Sequence, residues 1–135
     1  MEKLPSVLLV DDDPTTNFLH KLLLTRQQLS ERILMAEDGS AALDLLAHTS
    51  EVDQPVLILL DINMPGMGGL DFLAAYQQLP AAQRQATVVM LTTSVDVREL
   101  TRLQELGSAG VVSKPLTVEK LDSILHLHCQ HRMAA

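Results

Sequence analysis

Five short apolar runs recur along the chain at regular spacing, and apolar residues at helical spacing follow each of them. The runs span residues 6–10, 31–36, 55–60, 87–92 and 110–114. A strand that is apolar throughout is buried on both faces, which is typical of a parallel sheet covered by helices on either side. The pattern therefore predicts an α/β fold, a (βα)₅ doubly wound five-stranded parallel sheet in a three-layer sandwich. Within the first predicted helix, the inward-facing residues are expected to include Phe18 and Leu19.

The size and charge of the chain limit the number of domains, the kinds of partner and the compartment that we expect for this protein. With 135 residues, 47% of them hydrophobic, we expect a single domain over residues 1–135. A formal net charge of -7 argues against direct binding to nucleic acid or to an anionic membrane. The single cysteine, Cys129, cannot form an internal disulfide and fits a reducing compartment. No apolar run approaches the length of a membrane span, so we expect a cytoplasmic protein.

Polar residues stand where the predicted strands end. Ligands of an open parallel sheet bind at the carboxyl ends of its strands, so these residues are expected to meet at one rim. In chain order they are Asp11, Asp12 and Asp13 after the first strand, Asp61 after the third, Thr92 and Thr93 at the fourth, and Lys114 at the fifth. Asp13 precedes Pro14 and is explained as a helix N-cap. The other carboxylates need a different explanation.

Adjacent carboxylates at Asp11 and Asp12 repel each other unless a cation compensates them. Together with Asp61 they offer the oxygen donors of an open site for Mg²⁺, which one or two carboxylates and phosphate oxygens usually hold. Lys114 adds a positive charge that can pair with a phosphate or a free carboxylate. With the Thr92 hydroxyl nearby, the set favours Asp61 as a nucleophile that would carry an acyl phosphate.

Four motifs in this order resemble those of a response-regulator receiver domain of the chemotaxis (CheY-like) type. They are LLVDDDP at residues 8–14, LLDINMPGMGG at 59–69, VVMLTTS at 88–94 and SKPL at 113–116. The similarity extends over a core of about 6–127. It implies a flavodoxin-like sheet in the strand order 2-1-3-4-5. It also implies a response regulator of a two-component or phosphorelay system, with no activity beyond its own phosphorylation and dephosphorylation.

The resemblance also implies residue roles. Asp61 would accept a phosphoryl group from a sensor histidine kinase or a histidine phosphotransfer protein. Mg²⁺ would be bound directly by Asp12, through water by Asp11, and by Asp61 and the backbone carbonyl of Asn63. Thr92 would hydrogen-bond the phosphoryl oxygens and Lys114 would form an ion pair with them, on a cis peptide before Pro115.

One position departs from the family pattern. Three residues before the lysine, such receivers commonly carry Tyr or Phe, and this chain carries Val111. The usual relay from the threonine to an aromatic ring is therefore in doubt. We expect the signal to leave by docking of a downstream protein that the sequence does not identify.

Other classes compete with this interpretation. A phosphatase of the haloacid dehalogenase type needs a second carboxylate two residues after its nucleophile, where this chain has Asn63. A flavodoxin-like cofactor binder needs a Gly-, Ser- or Thr-rich phosphate loop after the first strand, and three carboxylates there would repel a phosphate. A degenerate receiver that serves only as a docking module is excluded by no sequence feature.

The histidines outside the motifs have plainer interpretations. His126, His128 and His131 flank Cys129 in the tail, but no second half of a zinc site occurs elsewhere in the sequence. A frayed helix end is expected there. His20 is expected at the edge of the core or on the surface.

Overall fold

A computed structural model describes residues 3–94 and 96–134, and five strands alternate with five helices along them. The strands are β1 (Val7–Val10), β2 (Ile33–Ala36), β3 (Leu57–Asp61), β4 (Thr87–Thr92) and β5 (Gly110–Ser113). The helices are α1 (Pro14–Arg26), α2 (Gly39–Ala47), α3 (Gly69–Tyr76), α4 (Val97–Glu105) and α5 (Val118–Ala134). Among the residues described, no helix combines the length and apolarity that crossing a membrane requires.

The five strands form one parallel sheet in the order β2-β1-β3-β4-β5. The predicted fold class and strand order are confirmed. In the register of β1 with β3, Val10 lies beside Leu60. Asp11 and Asp61 are the next residues of the two chains, so the register itself brings these carboxylates to one rim of the sheet.

Alternation along the strands builds two apolar layers, one on each face of the sheet. Leu8, Ile58 and Val88 point into the layer that holds Phe72 of α3. Their neighbours in sequence point into the opposite layer, under α1 and α5. Phe72 is completely buried, and burying a side chain of this size contributes about 2–3 kcal/mol. The sheet is thus covered on both faces, as its apolar strands require.

Helix α1 begins as predicted but turns a different face inward. Asp13 caps it, since its Oδ1 accepts a hydrogen bond from the Thr15 N–H at 3.0 Å, and Pro14 is its first residue. The prediction that Phe18 and Leu19 face the core is wrong, because these side chains are 60% and 54% exposed. The face turned to the sheet consists instead of Asn17, His20 and Leu24. Two of these three buried residues are polar, so hydrophobic periodicity selected the adjacent apolar residues Phe18 and Leu19 instead.

The expectation of a frayed tail is also wrong. Helix α5 continues to Ala134, and His128 is buried in it. The residue extends the inward stripe of Leu121 and Ile124 by one turn, and its Nδ1 lies 2.7 Å from the Thr87 Oγ1. The end of α5 therefore packs against the start of β4.

Candidate functional site

Asp11 is the first residue beyond β1, and hydrogen bonds from both its backbone and its side chain fix it at the rim of the sheet. Its backbone N–H donates to the Ala36 carbonyl at 3.2 Å, which ties it to the end of β2. Its Oδ1 accepts from the Asp13 N–H at 3.0 Å. Its Oδ2 accepts from the Lys114 Nζ at 2.5 Å. Only 3% of the residue is exposed, so this carboxylate is held in place rather than solvated.

Asp61 ends β3 beside it and is also buried. Its Oδ1 accepts from the Asn63 N–H at 3.2 Å, so the main chain at Asn63 folds back against the carboxylate. Asp12 is exposed at the mouth of the site. Asp11, Asp12 and Asp61 each present an oxygen within 4.8 Å of the others. The structure thus gathers the three carboxylates predicted as metal ligands into one group.

Lys114 supplies the positive charge inside this group. Its Nζ lies 2.5 Å from the Asp11 Oδ2 and 3.4 Å from the Asp61 Oδ2, and its side chain is only 15% exposed. The Lys114 N–H donates to the Thr92 carbonyl, which anchors the end of β5 against β4. The peptide between Lys114 and Pro115 is cis, as the resemblance implied. One lysine therefore forms ion pairs with two buried carboxylates.

The charges in the site shift one another's protonation. Burial raises the pKa of Asp61 above the usual carboxyl range, the negative charge of Asp11 adds to that rise, and Lys114 and the Asn63 N–H oppose it. Burial alone would lower the pKa of Lys114, but its hydrogen bond to Asp11 and the charges of both acids raise it. The lysine is accordingly held in its charged form. Asp61 has less positive charge around it than a buried carboxylate needs.

Thr92 is buried at the end of β4, and its hydroxyl is engaged within its own loop. The Oγ1 donates to the Ser94 carbonyl at 2.5 Å and accepts from the Ser94 N–H at 3.2 Å. Val111 is half-buried in β5 and packs against the apolar layer that holds Leu103 of α4. The Thr92 hydroxyl thus lies at the rim, but it donates its hydrogen bond to the loop after β4.

Two site neighbours escaped the sequence analysis. Asn17 is buried in α1, and its Nδ2 donates to the carbonyls of Asp11 at 3.0 Å and Ala36 at 3.1 Å. It thereby ties α1 to the ends of both β1 and β2. His20 lies one turn further along α1, where burial and the nearby charge of Lys114 lower its pKa. Neither residue had a distinguishing sequence signal, because each is one of several polar residues in α1.

Comparison with known proteins identifies the arrangement. The model of the response regulator receiver domain family matches residues 7–126. The chain belongs to this family. The match covers all five strands and reaches into α5, so it includes every residue of the site described above.

Individual relatives agree with this assignment. A probable chemotaxis protein CheY of Rhizobium etli is 32% identical over 120 residues, or 88% of each chain. The crystal structure of a two component response regulator from Cytophaga hutchinsonii superposes with a TM-score of 0.81 at 30% identity, covering 96% of this chain and 99% of that one. A protein-glutamate methylesterase/protein-glutamine glutaminase of Burkholderia thailandensis is 36% identical over 112 residues, which span 29% of its length.

The chain is therefore a response regulator of two-component signalling. Receiver domains of such systems accept phosphate from sensor histidine kinases. The three acidic side chains form a cluster that can bind a metal ion, since their oxygens lie close enough to share one. The phosphatase and cofactor-binder interpretations are not favoured.

Proposed function

We propose that Asp61 accepts the phosphoryl group from a phosphohistidine, carried by a sensor histidine kinase or a histidine phosphotransfer protein. A carboxylate oxygen of Asp61 attacks the phosphorus, and the bond from phosphorus to the imidazole nitrogen breaks. The electron pair stays on that nitrogen, and an acyl phosphate forms on Asp61. The observation that carries the proposal is the buried Asp61 carboxylate, whose Oδ2 lies 3.4 Å from the Lys114 Nζ in a cluster of two further acids.

The donor set fits Mg²⁺. Three carboxylates with oxygens within 4.8 Å of one another and a single lysine leave an excess of negative charge, and oxygen donors are the ligands that Mg²⁺ prefers. Asp12 and Asp61 would bind it directly, Asp11 through water, and the Asn63 carbonyl would complete the protein's share. When bound, the ion supplies positive charge that offsets the repulsion between the carboxylates and the phosphoryl oxygens.

Lys114 stabilises the product of the transfer. Its Nζ already lies between Asp11 and Asp61, so phosphoryl oxygens on Asp61 come within its reach and give it a charge-assisted hydrogen bond. Asp11 keeps the lysine charged and aimed at the rim before the phosphoryl group arrives. Lys114 is thus preorganised for an anion on Asp61, which lowers the barrier without later rearrangement.

Thr92 connects the phosphoryl group to the rest of the molecule. Its hydroxyl donates to the Ser94 carbonyl, and donating to a phosphoryl oxygen instead requires that bond to break. The loop after β4 then loses a tie and changes its conformation, as in other order–disorder switches. Because β5 carries Val111 and no aromatic ring, this loop is the route by which we expect a downstream partner to sense phosphorylation.

The proposal excludes catalysis on external substrates. Asn63 stands two residues after Asp61, and its amide has no proton to give to a leaving group, so the site lacks the general acid of a phosphatase. The chemistry of the chain is then limited to gaining and losing its own phosphoryl group. The remaining alternative is a degenerate receiver that only docks a partner.

Intact-mass spectrometry after incubation with acetyl phosphate and Mg²⁺ separates the two. We expect a gain of one phosphoryl group, and no gain when Mg²⁺ is chelated before acetyl phosphate is added. The Asp61→Asn variant keeps the shape of the side chain but lacks the nucleophile, so it should fold and remain unlabelled. Asp44→Asn, an exposed acid on α2, is the matched control and should be labelled like the wild type.

Two outcomes would contradict the proposal. Labelling of Asp61→Asn at the wild-type level would move the acceptor to another residue. A wild-type protein that binds Mg²⁺ but gains no mass from acetyl phosphate or from a phosphorylated histidine phosphotransfer domain would be a docking module.

A further inference from the structure

Two large apolar side chains are exposed beside each other at the open edge of the sheet. Phe18 projects from α1 and is 60% exposed, and Met35 lies on the edge strand β2 and is 42% exposed. Both line a groove of about 570 Å³. The rest of its lining is Pro14, Asn17, Ala36, Glu37, Asp38, Ala41 and Leu45. The groove, named here the Phe18–Met35 groove, runs between α1 and α2.

The charges along this groove have one sign. Glu37 and Asp38 line it, and its lining contains neither lysine nor arginine. Asp38 also caps α2 through a 2.7 Å hydrogen bond from the Ala41 N–H, which fixes its carboxylate at the groove wall. Glu37 is exposed beside it. An occupant of this groove therefore gains from positive charge and is repelled if it is acidic.

Asn17, which lines the groove, also carries a buried acceptor without a donor among the described residues. Asn17 is 3% exposed, and its Nδ2 donates to the Asp11 and Ala36 carbonyls. Because two carbonyls face this nitrogen, the amide cannot be turned the other way round. Its Oδ1 has no hydrogen-bond partner among the residues that the structure describes. A buried acceptor in this state favours an N–H or O–H donor nearby.

We propose that the Phe18–Met35 groove docks a basic amphipathic helix of a partner protein. One large apolar side chain of that helix lies between Phe18 and Met35. A lysine or arginine one helical turn away reaches Glu37 and Asp38. The two helices that bound the groove and its compact volume suit a helix laid in it, with anchors at the spacing of successive turns. The groove lies outside the acid cluster, so this surface is an addition to the proposed phosphorylation chemistry.

Two synthetic helices provide the probes for a titration followed by ¹H–¹⁵N NMR. One is an amphipathic Leu/Lys helix, and the other is its Leu/Glu counterpart with the same apolar face. We expect the Leu/Lys helix to shift the amide signals of α1, the end of β2 and the start of α2. The Leu/Glu helix should shift none of them, because its charges meet Glu37 and Asp38.

Matched variants test the apolar and the charged part separately. Phe18→Ser should weaken binding of the Leu/Lys helix by roughly tenfold, as loss of an apolar anchor predicts. Val52→Ser, which changes an even more exposed apolar residue in the turn before β3, should leave the affinity unchanged. Glu37→Lys should weaken binding several-fold, whereas Glu119→Lys, with the same change of net charge on α5, should have a smaller effect.

Three results would overturn the inference. Signal shifts centred on α4 and α5 would place the docking surface elsewhere. Equal weakening by Glu37→Lys and Glu119→Lys would reduce the binding to attraction by net charge. Equal affinities of Phe18→Ser and Val52→Ser for the Leu/Lys helix would show that Phe18 does not anchor the bound helix.

Acetyl phosphate labelling of the same preparations keeps the two proposals apart. Normal labelling of Asp61 without groove binding rejects the docking surface alone. Groove binding without labelling rejects the proposed phosphorylation alone. Phe18→Ser itself should be labelled like the wild type, since Phe18 is not a member of the acid cluster and carries no group that the transfer uses.

Discussion

The two ends of the sheet both bury polar groups, but they treat them differently. At the amino ends of the strands, the buried neutral side chains of Tyr76, Thr87 and Gln54 have hydrogen-bond partners, although the Ser6 Oγ has none among the described residues. At the carboxyl ends, three carboxylates gather around one lysine. A paired neutral group stabilises the fold, whereas an excess of like charge destabilises it until a ligand compensates. The contrast separates the part of the molecule that supports the fold from the part that binds.

Specific contacts pair three of the buried side chains at the amino end, Tyr76, Thr87 and Gln54. The Tyr76 hydroxyl accepts from the Ala86 N–H at 3.0 Å, deep in the core. Burial raises the pKa of Tyr76 to about 12, so the phenol stays neutral. Thr87 pairs with His128, and the Gln54 Nε2 donates to the carbonyls at the end of α2. Substitutions here should change stability without touching phosphorylation.

The largest effect is expected from removing the lysine at the carboxyl end. Lys114→Met leaves Asp11 and Asp61 buried without a cation, which should lower the free energy of unfolding by about 2 kcal/mol. This figure lies below that for a fully buried broken pair because the Lys114 side chain retains 15% exposure. Millimolar Mg²⁺ should restore much of the loss. Urea denaturation of the variant with Mg²⁺ and with chelator measures both.

Lys21→Met is the control, since it removes a lysine from the exposed side of α1. It should change the stability little, with or without Mg²⁺. If Lys114→Met were as stable as this control in chelator, the two acids at the rim would not depend on the lysine for compensation.

A smaller loss is expected from breaking a neutral pair at the amino end. Tyr76→Phe removes the acceptor of the Ala86 N–H and leaves that donor buried, which should lower the free energy of unfolding by about 1–2 kcal/mol. The loss should be the same with Mg²⁺ and with chelator, and Asp61 labelling should be unchanged. A Tyr76→Phe loss that Mg²⁺ reverses would show that the two ends are coupled.

Much of the fold was predictable because buried strands are apolar throughout and stop at polar residues. The run at residues 55–60 followed by Asp61 gave both a strand and a candidate nucleophile. The sheet order and the residue roles came from the resemblance carried by four motifs. The register of β1 beside β3 then placed Asp11 next to Asp61, so the gathering of the acids followed from a correct fold.

The wrong predictions share one cause, which is pairing between distant residues. Asn17 can be buried because it reaches the carbonyl of Ala36, and His128 because it reaches Thr87. These partners stand 19 and 41 residues away in the chain. Hydrophobic periodicity depends only on the residue types within one helix, so it contains no information about a hydrogen-bond partner in another part of the chain. Periodicity therefore predicted the wrong buried face for α1 and a frayed end for α5.

Relieving the excess charge at the carboxyl end should stabilise the metal-free protein. Because burial raises the pKa of Asp61, its ionised form opposes folding at neutral pH. Asp61→Asn removes that charge and leaves Lys114 paired with Asp11, so thermal melting in chelator should rise by the equivalent of about 1 kcal/mol. Asp44→Asn should not reproduce the gain. A lower melting temperature would mean that the carboxylate contributes a contact that the amide cannot replace.

The smallest effect concerns acid and tests the pairing at the amino end. Burial lowers the pKa of His128 from 6.5, and the positive neighbours Arg132 and His131 lower it further. Below pH 6.5 the unfolded chain takes up a proton that the folded chain refuses, so stability falls with pH from 6.5 down to the pKa of the folded state. Above pH 6.5 the residue contributes no pH dependence. His128→Gln keeps a hydrogen-bonding group and loses the titration, so the melting temperature should fall less between pH 7.5 and 5.5, by about two degrees.

The variant should still lose some stability over this range, because burial also lowers the pKa of His20. His48→Gln, which removes an exposed ring from the end of α2, is the matched control for loss of a histidine. If His128→Gln and His48→Gln melted in parallel over this range, the Thr87 pair would tolerate a charged imidazole, and the amino end would be less sealed than its contacts indicate.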